Sequence, residues 1–323
     1  MRSWFSRRSA LGALGAAALG TALPTFAQSA PVKILVGFPP GGSADATARL
    51  IADKMTTSMG SPVLVENRPG AGGRIAAQLV KDATPDGNTL MIAPLAVMVV
   101  QPLVFKSVKY DTTKDFTAIG NAAIFPLALA VGPATPAKTL PELITWLRNN
   151  PAQASYGSPA TGSLPHFLGE MLGQATGVKM QHVPYQGGAP LMTALLGSQL
   201  PLGIDTPAEF AENHRAGKLR ILALSGAQRL AQFPDVPTFR EAGIALEASA
   251  WFGIFGPAGM QAARVEALSN AVAAALRQPD VVARLATLGL QAAPESAAEM
   301  TSRLAADKAR WEPVIRSTGF QAD

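Results

Sequence analysis

The sequence predicts an α/β protein of two lobes, with the chain passing between them twice. Three observations carry this. Short apolar strands alternate with helical segments over residues 32–93 and again over 155–224, the pattern of βαβ units on mainly parallel sheets. The alternation breaks at a long apolar stretch, 117–132, and a second apolar run, Trp251 to Phe255, follows the later block. The C-terminal segment then reads as helices, about 261–277, 279–288 and 296–315, which need a sheet to cover. The economical arrangement crosses near Ile124–Pro126 and returns near Ala250–Phe252. It gives one lobe from 28–125 plus 251–323 and another from 126–250, within the range that 323 residues allow.

The elements follow in order. Residues 32–38, Val-Lys-Ile-Leu-Val-Gly-Phe, read as a buried strand broken by Pro39-Pro40-Gly41-Gly42. Ser43 is a good N-cap, with Asp45 in the first turn of a helix running to about Met59. Pro62 to Glu66 is a second strand. Asn67-Arg68-Pro69-Gly70-Ala71-Gly72-Gly73 is a turn-rich loop opening a helix to about Asp82, and Thr89 to Ala93 is a third strand. In the second block, Leu140 to Asn149 is helical, and Tyr156 to Ser163 is another strand-to-helix junction, its helix running from about Leu164 to Thr176. Gln181 to Tyr185, Leu202 to Asp205 and Arg220 to Leu224 are strands, with a helix from Ala189 to Leu196.

Composition narrows the chemistry. There is no cysteine, which removes disulfides, thiolate metal sites and cysteine nucleophiles, and three histidines make a His-rich metal cluster unlike this chain. No cofactor and no metal are expected. Arg2, Arg7 and Arg8 precede an apolar stretch, Leu11 to Leu23, and Thr25-Phe26-Ala27, the build of an export signal cleaved after about Ala27. The stretch is short for a membrane span. Those three arginines account for three of the five net positive charges, so the remainder carries +2 and gives little support for a nucleic-acid partner. The expected location is the periplasm, by an export route left open.

Two loops have the physics of an anion site. In Pro39-Pro40-Gly41-Gly42-Ser43-Ala44-Asp45, glycines after a strand let N–H groups point outward, and the helix start adds partial positive charge. Ser43 either caps its helix or bonds a ligand. Ser158-Pro159-Ala160-Thr161-Gly162-Ser163 repeats the arrangement in the other lobe, with His166 one turn in, a packed histidine or a ligand contact. Asn67 to Gly73 lacks the Gly-x-Gly-x-x-Gly spacing, because Ile75 stands where the third glycine belongs, and reads as structural. No Gly-x-Ser-x-Gly elbow occurs. Tyr185 and Asp205 end predicted strands, where ligands sit. Tyr185 suits a cleft wall, and Asp205 either holds an ammonium group or caps the helix beginning near Pro207.

The ordered set of Phe38-Pro39-Pro40-Gly41-Gly42-Ser43-Ala44-Asp45, Val65 to Gly73, Pro85-Asp86-Gly87-Asn88-Thr89-Leu90, Tyr156 to Ser163, Val183-Pro184-Tyr185-Gln186-Gly187-Gly188-Ala189-Pro190, Asp235-Val236-Pro237-Thr238 and Trp251-Phe252-Gly253 resembles the Bug family, solute-binding proteins of tripartite tricarboxylate transporters. The resemblance implies a two-lobed periplasmic-binding-protein fold of type II, a Venus flytrap. It implies capture of a small carboxylate by backbone amides, hydroxyls and waters, a monomer, and membrane transporter subunits or a sensor receptor as partners. Carried over, the contacts are Phe38, Gly41, Gly42, Ser43 and Asp45 in one lobe and Ser158, Thr161, Gly162 and Ser163 in the other, with Tyr185 and Asp205 at the rim. No catalytic residue is implied. One departure, Ala93-Pro94-Leu95-Ala96-Val97-Met98, is apolar where relatives carry polar residues, and hints at a less polar ligand body. The rival from another class is an exported hydrolase acting on a carboxylate or ester, built on a Ser–His pair such as Ser163 with His166.

Overall fold

The computed structural model describes residues 30–322, so the export segment read over 1–27 lies outside the described residues. Strand β1 (Val32–Val36) leads into α1 (Ser43–Met59). Strand β2 (Val63–Asn67) leads through a turn at Ala71–Gly73 into α2 (Arg74–Lys81), then β3 (Thr89–Pro94). A π-type turn, Ala96–Val100, runs into the short α3 (Gln101–Val104). Strands β4 (Phe116–Pro126) and β5 (Ala128–Val131) are separated by Leu127 alone. Then come α4 (Leu140–Asn149), β6 (Ser155–Ser158), α5 (Leu164–Thr176), β7 (Gln181–Pro184) and α6 (Gly188–Leu196). They are followed by β8 (Leu202–Asp205), α7 (Pro207–Arg215) and β9 (Arg220–Leu224). The return strand β10 (Ser249–Pro257) precedes α8 (Ala262–Leu276), α9 (Pro279–Thr287), β11 (Gln291–Glu295) and α10 (Ala297–Thr318).

These strands build two sheets, ordered β11-β4-β10-β3-β1-β2 and β7-β6-β8-β5-β9. Strand β1 pairs in parallel with β2 and β3, while β10 runs antiparallel between β3 and β4. In the second sheet β6 is parallel to β7 and β8, and β5 is antiparallel to β8 and β9. The long apolar stretch is therefore two strands in two sheets. The chain changes sheet at Leu127 and changes back between Leu224 and Ser249. Strand β11, which periodicity does not reveal, is an edge strand. Its Pro294 falls where the pairing with β4 shifts register, between Ala292 and Glu295, a position where a missing N–H is tolerated.

Helix ends follow local chemistry. Ser163 caps α5 by accepting from His166 N–H, and Ser296 with Glu299 forms a capping box on α10. Helix α1 ends on Gly60 in the left-handed conformation. The cores are mainly aliphatic, with Ile34, Ile51, Leu90, Leu202 and Ile204 fully buried, and the aromatic Tyr156, Phe167, Phe210, Phe239 and Phe255 fully buried among them. At the end of β1, Gly37 lies so close to the 71–73 turn that a Cβ there would sit 2.6 Å from Gly73 Cα. That contact ends the strand at Val36, two residues before the sequence predicts, and fixes the following Phe38 loop.

The two crossings meet at one residue. Ser225 is fully buried. Its hydroxyl accepts from Leu127 N–H at 2.8 Å and donates to Ala248 C=O. Its backbone N–H bonds Leu127 C=O, and its C=O accepts from Ala248 N–H, each at 2.8 Å. Outgoing and returning segments are thus tied to each other through Ser225.

Candidate functional site

A cavity of about 90 Å³ lies between the ends of the two sheets. Its floor is apolar: Phe125 and Phe252, whose ring centroids are 4.5 Å apart, with Leu127, Leu95 and Leu164. The Pro94-Leu95-Ala96 segment, marked by the sequence as unusually apolar, contributes directly, because the π-type turn that follows buries Val97 to Val100 behind it. The lining contains no lysine or arginine among the described residues. Arg74, behind Gly72, is turned onto the Phe105 ring, 3.8 Å from its centroid.

Of the residues singled out in the sequence, Phe38, Gly42, Ser43, Asp45, Ser163 and Asp205 line the cavity. The N-cap of α1 is Gly42 rather than Ser43, and no side chain of the loop itself caps it. The Ser43 N–H instead donates to Glu209 Oε1 at 2.8 Å, from the other lobe. Ser43 Oγ accepts from Thr206 Oγ1 at 3.2 Å. Asp45 is an anchor rather than an open acceptor. Arg49 grips both its oxygens at 2.9 Å, and Gly41 N–H and Asn67 Nδ2 donate at 2.9 Å. Burial pulls its carboxyl upward, yet Arg49, Gly41 and Asn67 together hold it below the usual carboxylate range.

The other five positions are turned away. Gly41 spends its N–H on Asp45. Ser158 is fully buried, donating to Ala160 C=O at 3.0 Å and lying 2.7 Å from His182 Nε2. Thr161 is outside the lining, and Gly162 packs on Phe105 with its N–H on His166 Nδ1. Tyr185 follows the edge strand β7 and packs beneath Gly157, away from the cavity. His166 is a packed histidine. It is stacked on His182 at 4.0 Å and touched by Phe320 at 4.6 Å. Its pairing with Ser163 is only the backbone cap. The Ser–His pair that exists, Ser158 with His182, does not face the cavity.

Burial drives both imidazoles down, His166 to about 3, with the His182 charge adding, and His182 to about 4. An unfolded histidine takes up its proton near pH 6.5. Below that pH the unfolded chain binds more protons than the folded one, so stability is present above 6.5 and is lost as pH falls toward the folded values. We expect a loss of up to about 1.4 kcal/mol per pH unit per imidazole between pH 6.5 and 4. Thermal unfolding across that window checks it. The raised Asp205 and Glu209 carboxyls act in the opposite sense, so the reading is taken from the difference: His182→Gln should lose less stability than wild type over this window, and identical profiles for the two would contradict this burial account.

Sequence reasoning missed Glu209 and Gln101. Glu209, partly buried on α7, projects between two helix starts. Its Oε1 is on Ser43 N–H, and a Cβ on Gly188, at the start of α6, would come within 2.3 Å of its Oε2. Helix α6 has no side-chain cap of its own. Asp205, one turn earlier, accepts from Thr206 N–H with Oδ1 at 2.7 Å and does not cap α7, whose N-cap is Thr206. Asp205 Oδ2 and Gln101 Oε1 have no hydrogen-bond partner. Burial and then the Glu209 charge push the Asp205 carboxyl well above its ordinary range, and burial pushes Glu209 up. Among the described residues no group of His, Asp and Glu is placed to hold a metal ion.

Two α/β lobes around a cation-free cavity at converging helix starts define a class: solute receptors that enclose a small molecule between domains. Over residues 47–320 the chain matches the tripartite tricarboxylate transporter family receptor, TctC, and it belongs to that family. It is 36% identical to the UPF0065 protein in the gbd 5' region of Cupriavidus necator, over 90% of this chain and 89% of that one. It is 32% identical to protein BugT of Bordetella pertussis, over 94% of each. Among solved structures, Rpa4515 of R. palustris with adipate shares 32% identity with a TM-score of 0.87, over 90% of this chain and 98% of that one. MatC from Rhodopseudomonas palustris with bound malate shares 31% identity with a TM-score of 0.83, over 88% and 98%.

Proposed function

We propose that this protein is a periplasmic solute receptor that captures a small carboxylate in the interlobe cavity and delivers it to membrane transporter subunits. The observation that carries this is Glu209. Its carboxylate sits on the α1 N-terminus beside the start of α6, with no cation in the lining. The cavity is therefore built to hold a carboxylate by N–H groups and helix-start charge alone. Adipate and malate in the similar structures point the same way. The lobes join at Leu127 and over the segment between Leu224 and Ser249, and closure about these crossings brings Thr206 and Glu209 onto Ser43. Ser43, Thr206 and Ser163 supply hydroxyls, and Phe125, Phe252 and Leu127 supply an apolar seat for the ligand body. A few charge-assisted hydrogen bonds at about 1.5–3 kcal/mol each, less ordering costs, give affinity around micromolar.

Thermal unfolding against a panel of carboxylates, amino acids and sugars tests the reading. A ligand at 100 times its dissociation constant adds about 2.7 kcal/mol, roughly 5–10 °C. A shift confined to compounds bearing a carboxylate is expected. A shift with sugars only, or with none of the panel, would set the carboxylate reading aside.

A further inference from the structure

The lobes also touch at a seam of side chains that do not line the cavity, built on the C-terminus. Helix α10 packs on β4 and α3 of the first lobe, with Trp311 and Ile315 buried. It ends on Gly319, whose left-handed φ of 66° turns the chain off the helix axis. Residues 319–322 then run as a strap alongside the end of α3. Ala322 N–H donates to Val104 C=O at 3.1 Å, and its C=O accepts from Lys106 N–H at 3.4 Å, a parallel bridge to Phe105. Between the helix end and this bridge, Phe320 reaches the other lobe. Its ring meets His166 edge-on at 4.6 Å and Phe167 at 6.0 Å, both on α5. Phe105 presses on the same place, because a Cβ on Gly162 would come within 2.6 Å of its ring. A side chain at 162 would hold the lobes apart.

The chain joins the lobes only at the crossings near Ser225. Contacts made between them elsewhere exist only when the lobes come together, and they stabilise that state alone. Their free energy adds to solute affinity without any contact to the solute. The seam also reaches the cavity wall. Gly162 N–H rests on His166 Nδ1 at 3.2 Å, and Ser163 caps α5, so a ring pressed on His166 steadies the loop whose Ala160 and Ser163 line the cavity.

We propose that the 319–322 strap is a clasp that holds the closed receptor shut, with Phe320 its positioning residue against His166 and Phe167. When the lobes part, the bridge at Ala322 keeps the strap on the first lobe, and the Phe320 ring loses its second-lobe partners. The clasp forms only after the lobes have met. It therefore slows the departure of the solute and leaves its arrival unchanged. This rests on the reading of the protein as a receptor that closes on a carboxylate, but the two can fail separately.

The test compares wild type with Phe320→Ala, with a chain ending at Thr318, and with Gln321→Ala, an exposed position of the strap, as control. The chain has no cysteine, so nitroxides on Asp53→Cys and Lys138→Cys, exposed and in different lobes, report the distance between lobes by double electron resonance. Adipate and malate are the probes, and rapid mixing gives their association and dissociation rates. We expect Phe320→Ala and the shortened chain to raise the open share of the distance distribution, and to release the bound probe about tenfold faster, about 1.4 kcal/mol, with association within twofold of wild type. Gln321→Ala should match wild type. A merely structural role would slow association as well and lower Tm, which circular dichroism reads. Identical distance distributions in wild type and both variants, or a probe released no faster, would overturn the clasp and leave the carboxylate reading standing. Binding of neither acid would count against the carboxylate reading alone. The ligand-free distances then decide the clasp, upheld by a larger open share in the two variants and overturned by identical distributions.

Discussion

Replacing Phe252 by alanine is expected to destabilise the protein by about 3–5 kcal/mol and to abolish measurable solute binding. Phe252 is 4% exposed and lies on β10, in the middle of the first sheet, opposite Pro94 on β3 and Ala123 on β4. Its ring packs on Phe125 at an interplanar angle of 43°, and together the two rings form the apolar floor of the cavity. Truncation removes transferred apolar surface and leaves space that a sheet held on both sides cannot close. It also lets water into the place where the hydrocarbon part of a ligand would rest. Phe252→Leu keeps most of the volume and should lose about a third as much. Denaturant unfolding and calorimetric titration of both variants give the two numbers. A loss under about 1 kcal/mol for the alanine variant would show that the floor is not a packed element.

Gly169→Ala should be nearly as damaging, although the change adds one methyl and improves helix propensity by about 1 kcal/mol. Gly169 is the point where α5 crosses β6, and a Cβ there would lie 2.1 Å from the Tyr156 ring. The ring is fully buried. Its hydroxyl donates to His166 C=O at 2.9 Å and meets Glu170 Oε1 at 2.7 Å, so it cannot swing aside without breaking those bonds. The helix must lift instead, carrying Ser163 at its start out of the cavity wall. Overpacking of this kind costs about 3 kcal/mol, and about 6 °C or more in Tm is expected. Adding Tyr156→Leu should recover part of the loss. A Gly169→Ala variant as stable as wild type would mean that the helix and sheet are more loosely seated than their geometry shows.

The parts of this architecture visible in the sequence are those written locally. Alternating strands and helices around 32–93 and 155–224 mark the two sheets, because apolar periodicity and glycine or proline punctuation act over a few residues. Ser43 and Ser163 reach the cavity because a helix start after a glycine-bearing loop faces the end of its sheet. Ser158 and Tyr185 share the loop chemistry but not the outcome. Strand alternation turns the Ser158 hydroxyl inward to His182, and the edge position of β7 carries Tyr185 away. Glu209 was hidden for a different reason. On its own helix it is an ordinary acidic residue in a first turn, good for the macrodipole of α7. It becomes part of the site only when another helix, 166 positions earlier, is brought against it. Gln101 likewise follows a π-type turn that no simple period announces.

The Ser225 tie has a kinematic consequence. Two strands that cross between lobes at separate points would permit twisting and shearing as well as bending. Here both are bonded to a single buried residue, so neither segment can slide along the other without breaking hydrogen bonds at Ser225. The tie acts as a rivet: it opposes shear between the two connections, and a turn about Ser225 is the relative movement that breaks the fewest of its bonds.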